Sequence, residues 1–105
     1  MNITVLTPDR EIFQGSIESV KVPGVTGEFQ VLNNHAPIVS ALTTGKVTLE
    51  TAEGGYNFFD VTSGGLEEGT GAGNKLDYYV EGGFIEILNN EVTLLISNLV
   101  AAPEE

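Results

Sequence analysis

Leu76-Asp77-Tyr78-Tyr79-Val80-Glu81-Gly82-Gly83-Phe84-Ile85-Glu86-Ile87-Leu88-Asn89-Asn90-Glu91-Val92-Thr93-Leu94-Leu95-Ile96 decides the fold. Leu76, Tyr78 and Val80 recur at every second position, and so do Val92, Leu94 and Ile96, which is the period of a strand buried on one face. Gly82-Gly83 and Asn89-Asn90 punctuate the stretch with residues that tolerate positive φ. Working outward, Val47 with Leu49 and Val20 with Val22 repeat the alternation. Pro23-Gly24 with Gly27, Asn33-Asn34, Thr44-Gly45 and Gly54-Gly55 repeat the punctuation.

No window of ten or more residues keeps a helical apolar period, so helix content is expected to be near nil. About nine or ten short, mainly antiparallel strands, joined by tight turns, can bury a one-sided apolar face only as two packed sheets or a closed barrel. The expectation is an all-β chain, a single β-sandwich domain over residues 1–105. Residues 51–75 read as an extended hairpin whose Gly-rich part, Ser63 to Lys75, holds one large apolar residue and reads as a mobile loop. Residues 98–105 read as a short tail, too short for a stable isolated helix.

The chain has 105 residues, 41% hydrophobic and 18% charged, which suits one globular core. Cysteine is absent, which removes disulfides, thiolate metal sites and cysteine nucleophiles and fits a reducing compartment. The N-terminal residues lack a basic start followed by an apolar run, and no stretch reaches the roughly 18 apolar residues of a membrane span. Neither export nor direct membrane insertion is expected. Fifteen acidic side chains against Arg10, Lys21, Lys46 and Lys75 give a formal charge of −11. That surface repels a phosphate backbone, so no nucleic-acid partner is expected. It favours solubility, and it is compatible with a protein partner that carries basic groups.

Several apparent sites dissolve on inspection. Gly69-Thr70-Gly71-Ala72-Gly73-Asn74-Lys75 looks like a phosphate-cradling loop, but Asn74 precedes Lys75, Leu76 follows it, and a strand pattern stands where a helix N-terminus is needed. His35 is the only histidine, which excludes a multi-histidine metal site, and no G-x-S-x-G elbow accompanies it. Glu67-Glu68 lacks the fixed geometry of an acid–base pair and reads as solvated. Neither Lys46 nor Lys75 has the surroundings of a lipoyl or biotinyl attachment site. No Trp is present, and Tyr56, Phe58 and Phe59 read as core or sheet-face residues and not as a carbohydrate platform. No catalytic residue, metal or cofactor is assigned.

Gly27-Glu28-Phe29-Gln30-Val31-Leu32-Asn33-Asn34-His35-Ala36-Pro37-Ile38-Val39-Ser40-Ala41-Leu42, with Gly45 just after, resembles the signature segment of the epsilon subunit of F-type ATP synthases. Val5 to Gly15 resembles the opening hairpin of that family, and Gly82–Ile87 with Asn90–Leu95 resembles its closing strands. Three segments in the family's order, around a β pattern read independently, support one another. The resemblance implies a non-catalytic β-sandwich at the foot of the rotating central stalk. Its implied partners are the gamma subunit and the polar loops of the proton-translocating c-subunit ring, and its place is peripheral, on the cytoplasmic face of the cell membrane. Glu28 then matches the position facing the ring loops, and His35 the histidine near the gamma contact.

The chain departs from the family's pattern at Asn33-Asn34, where Pro-Gly is usual, at Gln30, where glycine is common, and in the insert from Thr51 to Lys75. Family members commonly continue into a C-terminal helical hairpin that can bind ATP, whereas this sequence stops at Glu105. No ATP binding is therefore expected of it. The competing readings are a small acidic β-sandwich that binds another protein or ligand, a small enzyme that depends on His35 or a clustered carboxylate, and a scaffold that self-associates through sheet edges.

Overall fold

In the computed structural model, residues 1–100 are described. Among them there are eight strands and no helix: β1 (Asn2–Leu6), β2 (Glu11–Gly24), β3 (Gly27–Leu32), β4 (Ile38–Asp60), β5 (Gly65–Thr70), β6 (Lys75–Leu88), β7 (Glu91–Ile96) and β8 (Leu99–Val100). Their order is β3-β2-β1-β7-β6-β4-β5, and β8 pairs β6. A further pairing of β2 with β4 closes β2-β1-β7-β6-β4 into a ring, so the expected sandwich is one sheet wrapped around its core. Every pairing is antiparallel except β1 with β7.

The strands number eight, below the expected nine or ten, because three are long: β2 and β6 have 14 residues each and β4 has 23. Thr44-Gly45, Gly54-Gly55 and Gly82-Gly83, read in the sequence as turns, lie inside β4 and β6. Glycine within a strand permits a sharp bend or bulge as readily as a reversal. Gly83 shows the need most clearly: its φ is +141°, and a Cβ there would stand 2.1 Å from the carbonyl oxygen of Leu95. The two Asn pairs are true turns. Asn89 (φ 50°) and Asn90 (φ 64°) are both left-handed, the signature of a type I′ hairpin between β6 and β7.

The alternation read in the sequence has the right phase. Val20, Val22, Val47, Leu49, Tyr78, Val80, Val92, Leu94 and Ile96 all point into the core, around a fully buried Phe13. Tyr56 stacks on Phe13 with ring centroids 5.4 Å apart, and Phe58 and Phe59 also pack on the core, as expected of them. Thr51 is the buried polar residue of the core. Its hydroxyl donates to the Gly71 carbonyl at 2.8 Å and accepts from the Asn74 amide at 3.0 Å, so its burial leaves no unmade hydrogen bond.

The Gly-rich stretch corrects the sequence reading. Gly65–Thr70 is the strand β5, paired with β4 from Asp60↔Gly65 to Gly55↔Thr70. An edge strand can be held by backbone bonds alone, so β5 needs no apolar alternation. Its glycine has a packing reason: a Cβ on Gly69 would lie 2.5 Å from the Tyr56 ring, which fills that space. Of the expected tail, Leu99–Val100 pairs with Val80 and Tyr79, and residues 101–105 lie outside the described residues.

Candidate functional site

The segment from Glu28 to Leu42 holds both residues singled out in the sequence. Glu28 is the second residue of β3, opposite Pro23 of β2, and projects into solvent. Its carboxylate lies 4.0 Å from the Lys21 ammonium, with both side chains about half exposed, and a pair this loose contributes little to stability. The carboxylate is thus available to a partner. The adjoining turn is tied down by the Val25 amide, which donates to the Ala41 carbonyl at 3.3 Å.

His35 lies beyond the far end of β3, so the structure does not bring the two residues together: Glu28 to Leu32 alone spans roughly 13 Å at about 3.3 Å per residue. The His35 amide donates to the Leu32 carbonyl at 3.2 Å and closes a turn over Asn33-Asn34. Asn34 has φ 65° and Asn33 does not have a positive φ, which is the φ pattern of a type II turn. That turn favours Pro then Gly at its centre, so Asn33-Asn34 keeps the conformation that Pro-Gly would adopt. The imidazole is half-buried, and its Nδ1 lies 2.7 Å from the Ala36 carbonyl. A carbonyl only accepts, so Nδ1 carries the proton and Nε2 is left to meet another group.

The residues that sequence reading missed are apolar and exposed. Register places Leu6 of β1, Leu95 of β7, Phe84 of β6 and Ala41 of β4 side by side in one row across four strands, outside the barrel. Phe84 is 57% exposed and Leu95 50%. Val39 and Leu88, 69% and 53% exposed, lie on the same face toward the His35 turn, where Pro37, Val39, Glu86 and Leu88 line a shallow groove; exposed Glu86, opposite Val39, separates Phe84 from Leu88. A signal was present. In Phe84-Ile85-Glu86-Ile87-Leu88 the residues Ile85 and Ile87 take the core phase, which leaves Phe84 and Leu88 apolar in the solvent phase. Exposed apolar residues gathered on one face mark an interaction surface.

Among the described residues no three His, Cys, Asp or Glu side chains gather as a metal site. The phosphate-loop lookalike is closed on itself: the Asn74 side chain donates to the Tyr56 hydroxyl at 3.1 Å, and the Gly73 amide donates to the Thr51 carbonyl at 2.8 Å.

Comparison with known proteins agrees with this picture. Residues 1–70 match the family described as ATP synthase, Delta/Epsilon chain, beta-sandwich domain. The ATP synthase epsilon chain of Salinibacter ruber is 28% identical over 104 residues, covering 99% of this chain and 62% of that one. The chloroplastic epsilon chain of Chlamydomonas reinhardtii is 32% identical over 109 positions, covering 100% and 67%. The epsilon chain of Caulobacter vibrioides is 30% identical over 102 residues, covering 97% and 95%. The chain therefore spans about two thirds of some relatives and nearly all of another. Among solved structures, a chain of the Tetrahymena thermophila mitochondrial ATP synthase central stalk and c-ring matches with TM-score 0.67 at 16% identity, over 95% of this chain and 65% of that one. A chain of the Euglena gracilis mitochondrial ATP synthase matches with TM-score 0.68 at 21% identity, over 93% and 51%. These two likenesses speak for the fold. The closed all-β sheet, the match over two thirds of the sequence and the relatives that align along nearly its whole length together place this chain in the family of ATP synthase delta/epsilon chain β-sandwich domains.

Proposed function

We propose that this chain is a non-catalytic central-stalk subunit of a rotary F-type ATP synthase, which docks on the gamma subunit and on the polar loops of the c-subunit ring to couple proton flow to ATP synthesis. It would sit peripherally on the cytoplasmic face of the cell membrane as part of that membrane-associated complex. The observation that carries the reading is the face on which exposed Leu95, Phe84, Val39 and Leu88 gather beside the half-buried Leu6, set on the fold of this family. A rotating stalk subunit needs a surface that holds its neighbour through torque, and exposed apolar side chains set around a carboxylate, here Glu86 between Phe84 and Leu88, can supply both adhesion and orientation. The His35 turn borders that face and offers Nε2 to a gamma-subunit donor. Glu28, at the other end of β3, is free to orient basic groups on the ring loops.

The test is calorimetric titration of the chain with the gamma subunit of the same organism. Saturable one-to-one binding is expected, and Phe84→Asp should weaken it by about 2 kcal/mol or more, since a charge would replace a central apolar anchor. A folded chain that does not bind, or a Phe84→Asp variant that binds as well as the native one, overturns the reading.

A further inference from the structure

β5 ends the sheet. One of its edges is hydrogen-bonded to β4, and the other has no partner strand among the described residues. An edge of this kind offers a row of backbone N–H and C=O groups to another extended chain. Register shows what such a chain would meet. Glu68 lies opposite Asn57 of β4, and Asn57 opposite Gln14 of β2, so the three side chains form one row on the outer face. With Thr70 and the bare backbone of Gly15, Gly55 and Gly69 they line an open trough of about 720 Å³. Glu67, one residue earlier, faces the opposite side of the sheet, in line with Phe58. The two ion pairs among the described residues are Lys21–Glu28 and Lys75–Glu50, so neither Glu67 nor Glu68 has a cation of its own.

These features select the occupant. A second copy of β5, laid antiparallel about the Glu67–Glu68 centre, would set carboxylate against carboxylate, and like charges directly opposite destabilise a strand pair. A strand with two consecutive basic residues places one on each face, beside Glu68 and Glu67 respectively. Arginine suits the outer position better than lysine. Its planar fork can take the Glu68 carboxylate with two bonds while its remaining N–H groups reach the side-chain oxygens of Asn57 and Gln14. We propose that the free edge of β5 receives, as an added strand, an extended protein segment bearing two consecutive arginines, one over the Glu68–Asn57–Gln14 trough and one beside Glu67. This surface is separate from the Phe84 face, so the two can be tested independently.

The probe is the peptide acetyl-TVRRVT-amide, titrated into the isotope-labelled full chain and followed by amide chemical shifts. Saturable shifts over Gly65–Thr70 and at Asn57 are expected. The double variant Glu67→Gln/Glu68→Gln should weaken binding about tenfold or more, and the control Glu18→Gln/Glu81→Gln, of equal net charge, should stay within about twofold, because a charge-assisted pair is local while net charge is not. Acetyl-TPRRPT-amide, which keeps both charges but lacks two of the strand's N–H groups, should bind about tenfold more weakly or not at all. Equal losses in the two double variants, equal binding of the proline peptide, or no shift along β5 would each overturn the proposal. Loss of gamma binding in the Phe84→Asp variant would leave these outcomes unchanged.

Discussion

The backbone N–H of Asn34 donates to the Oδ1 of Asn90 at 2.9 Å, across 56 positions of sequence. The Nδ2 of Asn90 donates in return to the Oδ1 of Asn33, also at 2.9 Å. One side chain in the β6–β7 turn thus fastens the turn that carries His35. The same Asn90 is left-handed, a conformation that asparagine tolerates better than most residues.

Asn90→Gly keeps the backbone conformation and removes both bonds, and is expected to cost about 1–2 kcal/mol, as two partly exposed hydrogen bonds would. Asn90→Ala should cost more, since it adds left-handed strain. The pair Asn33→Pro with Asn34→Gly supplies the residues that this turn prefers but removes the Oδ1 that accepts from Asn90, so the two effects offset and stability should stay within about 0.5 kcal/mol of the native chain. Urea unfolding of the three variants checks the order; Asn90→Gly as stable as the native chain would show that the clasp holds nothing.

Gly83 sits one residue before Phe84 and bends β6 where β6 meets β7. Gly83→Ala must move the Leu95 carbonyl as well as adopt a disfavoured φ, and should cost about 3 kcal/mol or more. Gly54→Ala also has a positive φ, +110°, but nothing stands within 4 Å of its Cβ, so about 1–2 kcal/mol is expected. Equal costs for the two, by urea unfolding, would mean that backbone conformation and not the contact with Leu95 dominates at Gly83.

Tyr78 is buried, and its hydroxyl donates to the Phe59 carbonyl at 2.9 Å. Burial, then the charges of Asp60 and Tyr56, push its phenol from 10.0 up to about 12. The sign follows from proton counting. Between pH 10 and 12 the unfolded chain releases this proton while the folded chain keeps it, so stability that is complete below pH 10 is lost as pH rises toward 12. Tyr78→Phe should lose about 1 kcal/mol at neutral pH and show a shallower alkaline decline than the native chain. Parallel alkaline profiles in urea unfolding would refute the assignment.

Glu28→Lys should leave stability within about 0.5 kcal/mol, because the residue is exposed and its pair with Lys21 is loose. If Glu28 faces basic ring loops, as the proposed function has it, the reversal should weaken the coupling of proton flow to ATP synthesis in an assembled ATP synthase, since it would set like charges against them. Coupling unchanged in membrane vesicles would remove Glu28 from that interface.

Much of the fold was legible because one-sided burial imposes a two-residue period, and Val92, Leu94 and Ile96 could hardly have been placed otherwise. The places that misled have a common physics. Glycine signals freedom of φ, which serves a bend at Gly82-Gly83 as well as a reversal. β5 is built from backbone bonds and from the room that Gly69 leaves for Tyr56, and neither has a side-chain period to announce it.

By itself, the sequence determined an all-β chain, the phase of its core residues, its acidic surface, the lack of any thiol or multi-histidine chemistry, and a likeness to a family from which Glu28 and His35 take their interest. Register decided the rest. Leu6, Ala41, Phe84 and Leu95 are far apart along the chain, and only hydrogen bonding between β1, β7, β6 and β4 sets them in one row. The same pairing gathers Gln14, Asn57 and Glu68, and it lets Asn90 hold Asn33 and Asn34. Alternation says which side of a strand is wet, but which wet residues stand together depends on strand order and stagger, and these are settled by contacts between distant segments.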